Sequence, residues 1–271
     1  MTPAITIQNV RTPVIDAGSG PPVLFLHGVP DSGDLWRGVI ERLKAHYRCI
    51  APDLPGLGRS SAPRDFDYRL ENRAQWVDDL LRTLEIGEPL HIVGHDHGGP
   101  FAAAWAVQHP QRARTLTLIN TLFHRDYRWH FWARLWRTPL LGELVVWGQL
   151  LPINHWLVEF ELLRGSAGLS KEHVRAVIDN LRWESARHTL RLYRASDPAD
   201  FAGWDDKLYA LAARQPLLLL WGDKDPYIST EFPERLRSKG AQVVRFAAAG
   251  HWLPLEKAAA VSAELLRFFG A

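Results

Sequence analysis

The stretch Leu90-His91-Ile92-Val93-Gly94-His95-Asp96-His97-Gly98-Gly99-Pro100 constrains this chain more than any other. Four mostly apolar residues run into Gly94, Asp96 stands between Gly94 and Gly98, and Pro100 opens an alanine-rich run. A buried strand, a sharp turn and a helix account for that order. Proline suits the first helical turn, where its missing N–H has no partner to lose. Glycines on both sides of Asp96 are explained if the turn leaves no room for a Cβ beside its apex. The apex residue is then a carboxylate held up at the end of a strand. A carboxylate is ionised at neutral pH and needs no base to activate it, so it suits attack on an sp³ carbon that carries a leaving group. The alternative role, an Asp capping the helix that follows, leaves the glycines unexplained.

The rest of the chain supplies a setting for that turn. Residues 5–10 and 12–17 read as short strands, and residues 23–26 form a continuous apolar run that marks a strand buried on both faces. A helix is expected over 34–46, a strand over 48–51, and a helix over 71–84 with Trp76, Leu80, Leu81 and Leu84 on one face. After the elbow strand come a helix over 101–109 and a strand over 115–120. Strand and helix alternate to this point, the pattern of a mostly parallel sheet covered on both faces. Residues 122–200 break the rhythm. They show helical faces (Trp129/Trp132/Trp136, Leu144/Trp147, Trp156/Phe160/Leu163) and no strand, and they hold six of the twelve tryptophans. The alternation returns with a helix over 205–213, strands over 217–221 and 242–246, and helices over 230–238 and 255–269. The expected architecture is one core made of 1–121 and 201–271, with an all-helical cap inserted over 122–200.

Composition narrows the function classes. The 271 residues are 46% hydrophobic with a net charge of +2, too small to argue for nucleic acid or an acidic surface as partner. The arginines at 125, 128, 134 and 137 alternate with tryptophans, which reads as a solvated helix with an aromatic inner face. The single cysteine, Cys49, lies in an apolar run and excludes an internal disulfide. The start, Met1-Thr2-Pro3-Ala4-Ile5, lacks the basic and apolar regions of a signal peptide, and no run reaches the length of a membrane span. The expectation is a soluble, cytoplasmic protein, either monomer or homodimer. No cofactor is called for: Gly56-x-Gly58 is not a dinucleotide fingerprint, and the pair His95/His97 is not read as a metal site because metal ligation leaves the glycines unexplained.

Two later motifs complete the chemistry. Trp221-Gly222-Asp223-Lys224-Asp225-Pro226 follows a buried strand, and Gly250-His251-Trp252 lies near the chain end. A histidine there can take a proton from water. The order carboxylate, acid, histidine along the chain matches that of the α/β-hydrolases. His27-Gly28-Val29-Pro30 ends another strand and can aim a backbone N–H into the same place.

With these motifs the chain resembles the α/β-hydrolase superfamily, in the branch that holds epoxide hydrolases and haloalkane or haloacid dehalogenases. The resemblance covers nearly the whole chain and implies an eight-stranded α/β-hydrolase sheet. It implies Asp96 as nucleophile, Asp225 rather than Asp223 as the acid that orients His251, and the amides of Val29 and His97 as an oxyanion hole. Dehalogenases of this branch carry Trp directly after the nucleophile and often Asn after His-Gly. Here those positions hold His97 and Val29, and the Arg of the fluoroacetate-type enzymes is also absent. Trp147 or Trp156 is left to donate to a halide. Epoxide hydrolases use cap tyrosines, or a histidine and tyrosine pair, to protonate the opened ring. Tyr193 resembles the second of these acids. His155, with Tyr127 behind it, is the candidate for the first. The resemblance therefore implies hydrolysis of a small hydrophobic epoxide by water, with a dehalogenase second. A non-catalytic ligand-binding protein on the same fold is the remaining reading, and it predicts that Asp96→Ala changes nothing.

Overall fold

The computed structural model describes residues 3–270; residues 1, 2 and 271, the outermost positions of the expected core, lie outside them. Eight strands form one sheet: β1 (Ala4–Ile7), β2 (Val10–Ala17), β3 (Pro22–Leu26), β4 (Arg48–Pro52), β5 (Leu90–Asp96), β6 (Ala113–Thr121), β7 (Leu217–Gly222) and β8 (Gln242–Phe246). Their order across the sheet is β1-β2-β4-β3-β5-β6-β7-β8. The pairings of β1 with β2 and of β2 with β4 are antiparallel, and all the others are parallel. This is the mostly parallel sheet expected from the alternation, with the eight strands that the resemblance to α/β-hydrolases implies. β3, β5 and β7 are buried along their whole length, which is why their sequences are continuous apolar runs instead of alternating ones.

Helices cover both faces. α1 (Arg37–Leu43), α2 (Leu70–Thr83) and α3 (Gly98–Gln108) precede β6, while α9 (Trp204–Ala212) and α10 (Glu231–Arg237) flank β7. The side-chain alternation of β3 divides the core between the faces. Leu24 and Leu26 pack with Trp76 and Leu80 of α2 and Phe101 of α3. Val23 and Phe25 pack with Trp36, Leu43, Val261 and Leu265 on the other side. The final helix expected over 255–269 is instead two pieces, α11 (Leu253–Glu256) and α12 (Ala258–Phe269). Lys257, at φ −132° and ψ 36°, breaks the helix between them. Gly270, at φ +86°, closes α12 in the left-handed conformation favoured at a helix C-terminus.

Between β6 and β7 the described chain is helical: α4 (Phe131–Arg137), α5 (Leu141–Leu150), α6 (His155–Gly165), α7 (Lys171–Asp179) and α8 (Trp183–Arg194). Polar bonds tie this segment to the loops after β4. Arg182 donates to the Gly58 carbonyl at 2.8 Å and Arg191 to that of Phe66 at 3.1 Å. The buried Arg73 of α2 reaches Ser196 Oγ at 2.6 Å.

Burial separates two leucines with the same chemistry. Leu24 is fully buried, whereas Leu144 on α5 is two-thirds exposed. Leu24→Ala is expected to cost about 2–5 kcal/mol, the range for a large-to-small change in a closed core. Leu144→Ala should stay within about 0.5 kcal/mol of the parent, as surface changes do. Urea unfolding of the two variants checks the contrast.

Candidate active site

β5 ends at Asp96, whose backbone is turned to φ +48°. A non-glycine residue in that region is strained and persists only where its surroundings over-determine it. Here they do. A Cβ on Gly94 would lie 2.7 Å from the Gly98 carbonyl oxygen, and one on Gly98 would lie 2.2 Å from that of Leu26. The strand, the helix behind it and β3 close on the turn so tightly that positions 94 and 98 have no room for a side chain. Thr121 at the end of β6 donates its hydroxyl to the Asp96 carbonyl at 2.5 Å, fixing the apex from the far side.

The carboxylate is buried, and its two oxygens have different surroundings. Oδ1 accepts from the Val29 amide at 2.8 Å, and the His97 amide also bonds the carboxylate. Oδ2 lies 3.6 Å from Nε2 of His251. Burial pushes the Asp96 pKa up to about 6, against the opposing pull of His251 and the two amides. His251 is 3% exposed. Its burial opposes the proton, but Asp225 and then Asp96 outweigh burial and raise it to about 8.

Asp225 meets His251 Nδ1 at 2.8 Å through Oδ2. Its Oδ1 accepts the amides of Tyr227 at 2.7 Å and Ile228 at 3.2 Å. Asn120, a polar residue at the end of β6, adds a bond to Oδ2 at 2.8 Å and accepts the Gly222 amide at 3.0 Å. Burial alone would raise the Asp225 pKa, and His251 with these donors lowers it. Asp223 faces outward to Arg245 at 2.7 Å, so the geometry brings Asp225, and not Asp223, to the histidine. Two further bonds hold His251 and Trp252. His95 Nε2 meets the His251 carbonyl at 2.9 Å, and the Trp252 indole donates to buried Asp31 at 2.7 Å. His27 accepts the Leu54 amide at 2.9 Å, a bond that fixes neighbouring loops.

A cavity of about 140 Å³ opens over Asp96 and His251, close to the volume of a cavity that holds benzene. Tyr193 and Tyr127 line it, as expected, together with Trp129, Trp132, Trp136 and Tyr227. The other cap assignments are corrected. Trp147 and Trp156 are 58% and 61% exposed on the outer side of the inserted helices. His155, at the start of α6, is also absent from the cavity wall. The helical period explains the error: in α5 the inward positions are Val146, Gln149 and Leu150, one residue or more away from Trp147. Tyr127 spends its hydroxyl on the Tyr227 carbonyl at 3.1 Å.

His130 is the polar group that the sequence did not single out. It stands just before α4, and its Nδ1 accepts the Ala133 amide at 3.4 Å as a helix cap. Burial lowers its pKa to about 4, so the ring is neutral with its proton on Nε2. The signal was available in the run Tyr127-Arg128-Trp129-His130, where a histidine opens a helix whose inner face is aromatic. His97 does not face the cavity. Its ring is fully buried, stacked on Trp129 at 6.0 Å and edge-on to Tyr193 at 4.5 Å, and burial holds its pKa well below the usual value. The rings of His95 and His97 pack on different partners: His95 on Trp36 and His251, and His97 on Trp129 and Tyr193.

Comparison with known proteins agrees with this geometry. A family model for the alpha/beta hydrolase fold matches residues 21–147. A cis-3-alkyl-4-alkyloxetan-2-one decarboxylase of Shewanella oneidensis is 30% identical, over 88% of this chain and 79% of its own length. A haloalkane dehalogenase of Mesorhizobium japonicum is 31% identical, over 95% of this chain and 87% of its own. Among solved structures, an epoxide hydrolase superposes with a TM-score of 0.82 at 22% identity, covering 98% of this chain and 97% of its own, a likeness of fold. The chain belongs to the α/β-hydrolase family, in its dehalogenase and epoxide hydrolase branch. It is an α/β-fold hydrolase.

The coupling between Asp96 and His251 is directly measurable. Removing the negative charge with Asp96→Asn takes away one of the interactions that raise the His251 pKa, so the value should fall from about 8. NMR titration of the imidazole signals reads the shift. An unchanged value would contradict the coupling.

Proposed function

We propose that this hydrolase converts a compact, neutral epoxide into a vicinal diol, with residues 122–200 serving as the cap over the reacting groups. Asp96 Oδ2 attacks a ring carbon, the C–O bond breaks, and the ring oxygen takes a proton, leaving a hydroxyalkyl ester on Asp96. His251, oriented by Asp225, takes a proton from water. The hydroxide adds to the ester carbonyl, and the negative charge that develops on Oδ1 falls on the Val29 and His97 amides. On collapse the ester C–O bond breaks, His251 returns its proton to the leaving alkoxide to give the diol, and the proton of the new Asp96 carboxylic acid passes back to the group that protonated the ring oxygen, restoring the carboxylate. Esterification also removes the Asp96 charge that raises the His251 pKa, so the base is more readily neutral in the step where it must accept a proton.

The observation that carries the epoxide reading is the set of donors near Asp96. An opened epoxide is an alkoxide, a poor leaving group that needs an acid, and Tyr193 and His130 both line the cavity and can supply it. A halide wants indole or amide N–H groups instead. The indole nitrogens of Trp129 and Trp136 are sealed from the cavity without partners, that of Trp132 bonds Glu161, and that of Trp252 is taken by Asp31. Haloacids fit least, because Asp96 and Glu161 line the cavity and no Arg or Lys does. The oxetanone named in one relative's activity is also a strained oxygen ring, which favours ring opening over carbon–halogen cleavage. The dehalogenase at 31% identity keeps haloalkanes as the second reading.

Assays with epoxides, β-lactones and haloalkanes, each of about one ring in size, decide between them. Diol formation is expected. Tyr193→Phe should lower kcat for epoxide by about 10²–10⁴-fold, the usual worth of a positioned acid. His130→Ala, measured beside it, should lower kcat with Tyr193 intact. Halide release without diol formation, or a Tyr193→Phe variant with full epoxide turnover, would overturn the reading.

A further inference from the structure

The tryptophans that missed the cavity lie in an apolar face that the proposed reaction does not use. Among the described residues, every large hydrophobic side chain that is strongly exposed lies between positions 131 and 183. Two adjacent helices present matching strips: Leu140, Leu144 and Trp147 lead along α5, and Trp156, Phe160 and Leu163 along α6, each at i, i+4, i+7 spacing. These six side chains are 37% to 80% exposed, and Ile153 protrudes from the turn between the helices at 80%. The inner side of α5 faces the cavity, and its one charge, Glu143, is taken by Arg194 at 2.7 Å. The helix is therefore apolar on both faces. Only one of those faces is covered.

We propose that this face pairs with the same face of a second copy of the chain, α5 against α5 across a two-fold axis. The spacing is that of helix–helix seams, in which side chains three and four apart mesh with a facing helix. The area is sufficient. With large apolar side chains taken at roughly 200 Å² each, the exposed fractions of the six leave about 700 Å² per copy, within the range that each partner contributes to a standard interface. The charges are self-complementary. α5 packs between α4 and α6. Arg134 is exposed on α4 and Glu159 is exposed on α6 beside Trp156 and Phe160. Among the described residues neither forms an ion pair. With the two-fold axis running parallel to α5, α4 of each copy faces α6 of the other, which sets Arg134 toward Glu159 at both edges, the reciprocity that an isologous contact requires. A lipid surface fits less well, because the strip would carry the unpaired Glu159 carboxylate into it.

The test is sedimentation velocity of the full chain at about 10 μM, above the weak end of affinities for interfaces of this size. The wild type is expected to run as a dimer and Trp147→Glu as a monomer with an unchanged circular dichroism spectrum. Arg134→Glu and Glu159→Arg each place like charges at both edges and should weaken the dimer about tenfold or more. Mixed together, the two variants have opposite charges at both edges, so the mixture should recover a dimer that neither forms alone. That recovery cannot arise from damaged folding. A monomeric wild type, a dimer indifferent to Trp147→Glu or to the charge changes, or a monomer that instead sediments with anionic vesicles would overturn the proposal.

Discussion

A buried carboxylate is costly unless charge and hydrogen bonds meet it, and this structure is arranged around meeting one. Asp96 receives the Val29 amide from the end of β3, the His97 amide from the start of α3, and the charged face of His251 from the chain's C-terminal loops. Each partner comes from a different part of the chain, so the ion group holds the loops after β3, β5 and β8 in one arrangement. The strain at φ +48° is sustained by the same packing. In the proposed reaction the same arrangement serves twice: Oδ1, held by the Val29 amide, is the oxygen that would carry the oxyanion charge, and Oδ2, beside His251, is the one that would attack.

Selectivity then rests on which hydrogens remain available. The cavity is rich in indoles, but their N–H groups are buried, bonded to Glu161 or bonded to Asp31. Tyr193 and His130 remain among the residues that line the cavity with Asp96. An aromatic wall thus supplies shape and an apolar medium, in which proton donation to a developing alkoxide is strengthened. Glu161 and the missing cationic side chains set the charge preference of the cavity. The outer surface of the same helices is apolar too, so the inserted segment has two apolar surfaces, one lining the cavity and one that we propose pairs with a second copy of the chain.

The elbow, the sheet and the nucleophile–acid–base order were legible because each depends on local rules: glycines where a Cβ does not fit, apolar runs where both faces are covered, and loop motifs at strand ends. Asp225 was separable from Asp223 only by resemblance, and the structure shows a physical difference, since one meets His251 and Asn120 while the other meets Arg245. The helical segment was legible as helix but not as inside and outside. Trp147 and Trp156 read as cavity residues because aromatic side chains usually avoid water, yet the phase of α5 and α6 against the core decides which face is buried, and the sequence does not carry that phase. His130 was missed for a related reason. A capping histidine looks structural until its second nitrogen is seen to face the cavity wall.

The most direct test of the central claim is covalent. In His251→Gln the base that activates water is gone while Asp96 stays in place, so the ester formed in the first step should persist. Incubation with a one-ring epoxide, followed by intact mass and peptide mapping, should show a gain equal to the whole epoxide on the peptide that contains Asp96. A folded variant that gains no mass from any epoxide, or gains it at another residue, would contradict Asp96 as the attacking group. A gain equal to a haloalkane less its hydrogen halide, seen with haloalkanes alone, would retain Asp96 and contradict the epoxide as substrate.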